Sequence, residues 1–232
     1  MKIFAHRGVS ALAPENTMKA FQLALDHGAD GIEFDVFQHA SDFIVIHDQW
    51  LERTTTGTGS IYQLSPQQLK KLDAGEGQDI PYVEQLVGLV GGRCELNFEL
   101  KGLHDHRQFC TLLDWALTQG FTEKQLLVSS FNHHWLFRIK QHRPQTRIAA
   151  LIAHYPLDFT AEAQRLGAQN IHIDINVVDH ALVEDAHRRN MGVLVYTVDR
   201  AETLRQLASW GVDGVFSNNP LQARAYLDSQ LV

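Results

Sequence analysis

Two stretches, GIEFDVF (residues 31–37) and CELNFELK (residues 94–101), read as strands that carry acids on one face. Side chains along a strand alternate sides with period two. Glu33 and Asp35 therefore share a face, opposite Ile32, Phe34 and Val36. In the same way Asn97, Glu99 and Lys101 stand opposite Leu96, Phe98 and Leu100. Strands covered by helices normally read as unbroken apolar runs, so these acids need a separate reason. Three carboxylates aimed at one place repel strongly unless a cation sits between them. The pattern predicts a metal site.

Working outward from these strands, one unit recurs: an amphipathic helix, a glycine, a few polar residues and a short apolar run. It appears in LALDHGADGIEFDV (23–36), ALTQGFTEKQLLVSSF (116–131), AQRLGAQNIHID (163–174), HRRNMGVLVYTV (187–198) and ASWGVDGVFSN (208–218). Gly28, Gly120, Gly167, Gly192 and Gly211 stand where a helix C-cap takes the left-handed conformation. Phe109, Leu112, Leu113, Ala116 and Leu117 give one helix its apolar stripe. Asn16 or Thr17 can cap the first helix.

Apolar runs fall at 3–7, 31–37, 94–100, 126–131, 147–153, 170–174, 192–198 and 214–218. Strands alternating with helices imply right-handed βα units and a parallel sheet. Eight such units favour an α/β fold of the closed (β/α)8 TIM barrel type over a doubly wound open sheet. The irregular stretch 38–90 is read as an insertion after the second barrel strand, within one barrel domain spanning 1–232. It holds the strand-like FIVIHD, a Thr/Gly-rich loop and the helix-like SPQQLKKL.

The 232 residues suit one large α/β domain. A net charge of −7 argues against broad nucleic-acid or anionic-membrane binding, while local cations can still recognise a small anion. Cys94 opens an expected strand and Cys110 lies on an expected helix, which reads as two buried free thiols. The opening MKIFAHRG enters a strand directly, and no long apolar span follows. A cytoplasmic protein without membrane insertion is expected.

Function in such barrels gathers at the C-terminal ends of strands. His6 and Arg7 end the first run, Glu33 and Asp35 the second, and Glu99 and Lys101 the third, while His47 ends the extra strand near the same rim. Three carboxylates suit one hard divalent cation, Mg²⁺ or Ca²⁺, better than zinc. Arg7 and Lys101 add fixed positive charge suited to phosphate. Two histidines can divide the proton transfers of a displacement. Together these parts describe metal-assisted cleavage of a phosphate ester.

AHRG (5–8), PENT (14–17), Ala20, Phe21, Ala24, GADGIEFDV (28–36), VIHD (45–48) and LERTTTGTG (51–59) resemble the glycerophosphodiester phosphodiesterase family. LDAG (72–75), IPYVEQL (80–86), NFELK (97–101), SSF (129–131) and GVDGVFSNNP (211–220) continue the resemblance in order along nearly the whole chain. The resemblance implies hydrolysis of a small-molecule glycerophosphodiester, such as glycerophosphocholine or glycerophosphoethanolamine, to glycerol 3-phosphate and an alcohol. It implies Glu33, Asp35 and Glu99 as metal ligands, His6 and His47 as the acid–base pair, and Arg7 and Lys101 on the phosphate. Related alternatives are a lysophospholipase D, a phosphoinositide-type lyase, or a non-catalytic phosphate-binding barrel.

The family's hairpin Thr-x-Asp-Gly is replaced here by His39-Ala40-Ser41-Asp42. Tyr196 stands for a frequent tryptophan, and Asn219 for a common aspartate; both positions are expected to border the substrate. Asn97 reads equally as a ligand's hydrogen-bond partner or a direct contact. The TTTGTG loop lacks the lysine of a P-loop and reads as a rim loop. His133 and His134 are expected at the surface. His172 and Asp174 alternate onto the polar face of their strand, within reach of a substrate alcohol.

Overall fold

The computed structural model describes residues 1–229, and strands alternate with helices along them. The first half runs β1 (Lys2–His6), α1 (Met18–Asp26), β2 (Gly31–His39), β3 (Asp42–Val45), α2 (Pro66–Leu69), α3 (Val83–Val90), β4 (Glu95–Gly102) and α4 (His106–Thr118). The second half runs β5 (Leu126–Ser130), α5 (His133–His142), β6 (Arg147–Ile152), α6 (Ala161–Leu166) and β7 (Asn170–Asp174). It ends with α7 (His180–Arg188), β8 (Gly192–Tyr196), α8 (Ala201–Ser209), β9 (Gly214–Ser217) and α9 (Pro220–Asp228). All strands but β3 pair in parallel, and β1 closes the sheet by pairing with both β2 and β9. The result is a (β/α)8 barrel.

Alternation sorts the strand residues onto two sides. Ile3, Ala5, Ile32, Phe34, Val36, Leu96, Phe98, Val128, Ile171 and Val215 face outward into one continuous core with the helices. Phe34 meets Phe98 at 4.8 Å and Phe21 of α1 at 6.1 Å between ring centroids. Each such buried side chain contributes about 1.5–3 kcal/mol. The inward side is narrower and more polar. Phe4, Leu194 and Phe216 plug its middle. Below that plug Glu95 pairs with Lys2 and, at 3.2 Å, with Arg147. The acids singled out in the sequence occupy the upper, C-terminal end.

Four expected glycine caps take positive φ: Gly28, Gly120, Gly167 and Gly211. The fifth does not. After α7 the left-handed residue is Asn190, at φ 58°, and Gly192 opens β8 instead. A Cβ on Gly192 would lie 2.5 Å from Asn170 Nδ2, so this glycine serves a close approach inside the barrel.

The inserted segment is shorter than the 38–90 expected. β2 continues to His39, and α3 is a barrel helix whose Val83, Leu86, Val87 and Val90 are buried in the main core. Between them β3 folds back antiparallel on β2 with His39 opposite Asp42. Leu51, Ile61, Leu69 and Ile80 form a second small core there, packed on Phe37 and Ile44. His39 is buried, and its Nε2 lies 3.1 Å from the Ile61 carbonyl and 3.0 Å from that of Leu64. One imidazole N–H shared between two carbonyls ties the segment to the hairpin. Both cysteines are buried and unpaired. Among the described residues no helix is long and apolar enough to cross a membrane.

Candidate active site

The chain turns sharply as β1 ends. Arg7 takes φ 58° and Gly8 φ 77°, and a Cβ on Gly8 would meet the Ala20 backbone at 2.6 Å. Only glycine lets the turn press against α1 in this way. The turn aims the Arg7 backbone N–H at Glu33, where it donates to Oε2 at 3.0 Å. Arg7 Nε lies 3.3 Å from Asp35 Oδ2, and its Nη1 donates to Glu15 at 2.8 Å.

Strand phase brings the three acids together. Glu33, Asp35 and Glu99 are all buried, and one ligand atom from each lies within 4.8 Å of the others. Asn16 Nδ2 donates to Asp35 Oδ2 at 2.8 Å. Lys101 Nζ pairs with Glu99 and lies 3.4 Å from Asp35 Oδ1. Glu33 Oε1 has no donor among the described residues.

Burial and the neighbouring Asp35 raise Glu33 well above the usual carboxylate range, and the same causes push Glu99 to about 7. For Asp35 burial acts in the same direction, yet Lys101 and Arg7 outweigh it and hold the group ionised below its ordinary value. Lys101 is itself raised because Asp35 and Glu99 overcome its burial. A cluster that retains a proton for want of positive charge is one a hard dication fits. The donor set is all oxygen, and Glu33 Oε1, Asp35 Oδ1 and Glu99 Oε1 have no hydrogen-bond partner among the described residues.

The two histidines have their Nδ1 atoms occupied from behind. His6 Nδ1 lies 2.9 Å from Asn218 Oδ1. Asn218 Nδ2 donates to Asp199 at 2.6 Å, which fixes the amide so that its oxygen accepts from His6. The proton of neutral His6 is therefore on Nδ1, and Nε2 carries the lone pair, 4.0 Å from Glu33. Burial, then Arg7, lowers His6 to about 4. His47 Nδ1 lies 2.6 Å from the Asp48 carboxylate, which also pairs with Arg53. Arg53 in turn donates to both oxygens of Glu15 at 2.8 and 2.9 Å. A continuous chain of ion pairs thus links Asp35, Arg7, Glu15, Arg53, Asp48 and His47.

All seven candidate side chains gather at this end of the barrel, and six of them line one cavity of about 210 Å³: His6, Arg7, Glu33, His47, Glu99 and Lys101. Tyr196 lines it too, its hydroxyl donating to the Ile152 carbonyl at 3.0 Å. Asn97 reaches it with an unpartnered Oδ1, while its Nδ2 donates to Ser129. His172 is fully buried at the cavity floor; Asp174 does not line it and instead accepts from Asn176.

Several expectations shift. Asn219 does not line the cavity but caps α9, accepting from Gln222 N at 3.2 Å, and its neighbour Asn218 is the one behind His6. Thr17 caps α1, which leaves Asn16 free to serve Asp35. His134 is exposed, but His133 is half-buried, with Nε2 3.1 Å from the Leu151 carbonyl of β6. Glu15, Asn16 and Arg53 lie inside the stretches PENT and LERT, so the signal was present without an assigned partner.

The sequence profile described as the glycerophosphoryl diester phosphodiesterase family matches residues 6–222. A glycerophosphodiester phosphodiesterase of Caldanaerobacter subterraneus is 34% identical over 230 residues, covering 94% of each chain. One from Bacillus altitudinis is 32% identical and covers 96% of each. An Oleispira antarctica phosphodiesterase, solved with the product sn-glycerol-3-phosphate, superposes with a TM-score of 0.88 at 29% identity, covering 98% of this chain and 97% of its own. A glycerophosphodiester phosphodiesterase of Agrobacterium tumefaciens superposes with a TM-score of 0.79 at 27% identity, covering 97% and 99%. With its barrel, its buried acidic triad and its sequence agreeing along almost their full length, the chain belongs to the glycerophosphoryl diester phosphodiesterase family.

Proposed function

We propose that this enzyme hydrolyses glycerophosphodiesters such as glycerophosphocholine and glycerophosphoethanolamine, releasing glycerol 3-phosphate and the head-group alcohol. The observation that carries the reading is the grouping of Glu33, Asp35 and Glu99 with two cations and two oriented imidazoles at one end of the barrel, all but Asp35 lining one cavity. Glu33, Asp35 and Glu99 hold a Mg²⁺ or Ca²⁺ ion. When bound, the ion polarises the phosphoryl oxygens and offsets charge growing in the transition state. Arg7 and Lys101 orient the phosphate.

His6 offers a lone pair on Nε2, backed by a neutral amide, and takes the proton of the nucleophile, either water or the glycerol's own hydroxyl. His47 is backed by the Asp48 carboxylate, which balances an imidazolium, and gives its proton to the leaving alkoxide. Action in the cytoplasm is part of this reading, supported by two buried, unpaired thiols.

Incubation with glycerophosphocholine and Mg²⁺ or Ca²⁺ is expected to release glycerol 3-phosphate, and chelation to stop it. Undiminished activity in Glu33→Ala and His6→Ala variants would defeat the assignment.

A second reading extends the substrate to acylated diesters, as in a lysophospholipase D. Exposed Leu12, Trp50, Phe131, Tyr155 and Leu157 follow strands β1, β3, β5 and β6 at the same end of the barrel. Ile61, by contrast, is buried within the inserted segment. Comparing rates on glycerophosphocholine and lysophosphatidylcholine separates the two: faster turnover of the acylated diester supports this second reading.

A further inference from the structure

We propose that His172 and Asn97 form a hydroxyl-binding floor beneath the phosphate site, with His172 holding the terminal hydroxyl of the substrate's glycerol. The proposal rests on the glycerophosphodiester reading above and names the part of that substrate which lies deepest.

His172 sits between Leu151 and Leu194 in register, one inward step below the strand-end pair Asp174 and Tyr196. It is fully buried, with its ring against that of Phe216 at a centroid distance of 4.8 Å. Burial holds it neutral near neutral pH. A neutral imidazole carries one N–H donor and one lone pair. Among the described residues neither ring nitrogen of His172 has a hydrogen-bond partner, and neither does Asn97 Oδ1. Buried polar groups are rarely left unsatisfied unless something outside the chain completes them.

The neighbouring polar atoms are already committed. The Tyr196 hydroxyl donates to Ile152, and Ser129 Oγ accepts from Asn97 Nδ2. The rest of the lining here is Thr197 with the apolar Leu151, Phe131 and Phe216, and the same cavity opens onto the charged residues of the phosphate site. A few unpaired polar atoms in an apolar cup are how small-ligand sites fix orientation.

The cavity of about 210 Å³ lies below the size usual for drug-like ligands and is shared with the phosphate site, so its inner end takes one half of a diester. Of the two halves, glycerol carries uncharged hydroxyls, each both donor and acceptor, which match an imidazole and an amide oxygen. A choline cation has no hydrogen-bond donor or acceptor for either group, and an ethanolamine ammonium can only donate. The glycerol therefore enters first and the head group stays toward solvent, so the floor reads the half that all such substrates share.

The test compares glycerophosphocholine with the diester of propane-1,2-diol, which lacks only the terminal hydroxyl and keeps the one nearest phosphorus. The wild-type enzyme is expected to prefer the glycerol substrate by on the order of 100-fold in kcat/KM, as sites built to bind a hydroxyl reject analogues lacking it. In His172→Phe the preference should shrink to about threefold or less, through loss on glycerophosphocholine alone, because the partner that reads the hydroxyl is gone. His172→Gln, which keeps a donor and an acceptor, should restore part of it.

Equal loss on both substrates in the variant would mark a structural role and overturn the proposal. So would a wild-type enzyme that turns over both diesters equally, as it would if only water met the floor. If His172→Phe does not fold, the wild-type preference and the Gln variant decide. Failure of the wild type to cleave either diester defeats the functional reading itself, a result distinct from cleavage without preference.

Discussion

Asn218 stands between Asp199 and His6, giving its amide N–H to the carboxylate at 2.6 Å and accepting from the imidazole at 2.9 Å. Asp199 also accepts from the Asn218 backbone N–H at 2.8 Å, so the amide cannot flip without losing a charge-assisted bond. The arrangement sets the tautomer of His6 through a residue that never touches the cavity. Asn218→Ala is expected to lower kcat by roughly 10–100-fold, the range seen for partners that orient a functional side chain. Circular dichroism should be unchanged. A variant as fast as the parent would mean that His6 finds its orientation elsewhere.

The acidic cluster predicts how pH and metal act together. Glu33 and Glu99 are raised by burial and by Asp35, with Glu99 near 7. A carboxyl whose folded pKa exceeds its unfolded value binds its proton more tightly in the folded state. Its stabilising effect is full below the unfolded value and fades as pH rises through the folded one. His6 and His172, lowered by burial, act in the opposite sense, so the effect is read against Glu99→Gln: from pH 5 to pH 8 the chelated parent should lose stability relative to that variant. Divalent cation should recover the loss at pH 8 and displace protons as it binds. Melting curves of both proteins with and without Mg²⁺ across this range check it; a parent-to-variant difference that is the same at both pH values rules it out.

The barrel was legible because its strands obey two rules at once, short apolar runs and period-two alternation. All eight expected runs became parallel strands. The acids were legible because they break the first rule while keeping the second: Glu33, Asp35 and Glu99 lie in phase on strands whose opposite face is apolar. Their helpers were hidden because each helper's residue type has an ordinary local use. Asn16 and Thr17 both read as helix caps, and only the packed structure shows which one turns inward. Asn218 and Asn219 differ by one position just past β9, yet one stands behind His6 and the other caps α9. Arg53 and Glu15 are far apart in sequence, so no periodicity links them. Gly192 read as a cap by spacing alone, but Asn190 tolerates the left-handed turn and the glycine is needed for room.

Arg53 joins the two halves of the candidate site. It bridges Glu15, which holds Arg7, and Asp48, which holds His47. About half of its side chain is exposed, so its ion pairs should contribute no more than about 1 kcal/mol to stability. Its effect on positioning should be larger. Arg53→Ala is expected to reduce kcat by roughly tenfold while KM moves less, since both reacting partners lose their bracing. Arg53→Lys should recover little, because a single ammonium cannot reach Glu15 twice and Asp48 once. An unfolding midpoint displaced as strongly as the rate would show the bridge to be structural instead.

Ala40 supplies a test on the fold alone. It begins the two-residue turn between His39 and Asp42 and holds φ 54°, a conformation that costs a residue with a Cβ roughly 1 kcal/mol. The turn is held because β2 and β3 pair on both sides of it and His39 anchors the inserted segment beneath. Ala40→Gly should remove that strain at the modest expense of a more flexible unfolded chain, for a net gain of about 0.5 kcal/mol. Because β3 carries the chain to His47 through Ile46, whose N–H donates to the Asp35 carbonyl at 3.1 Å, the imidazole is positioned by the sheet and not by the turn. Activity should therefore stay at the parental level while the denaturant midpoint rises. A change in kcat with no gain in stability would show instead that the strained turn sets the place of His47.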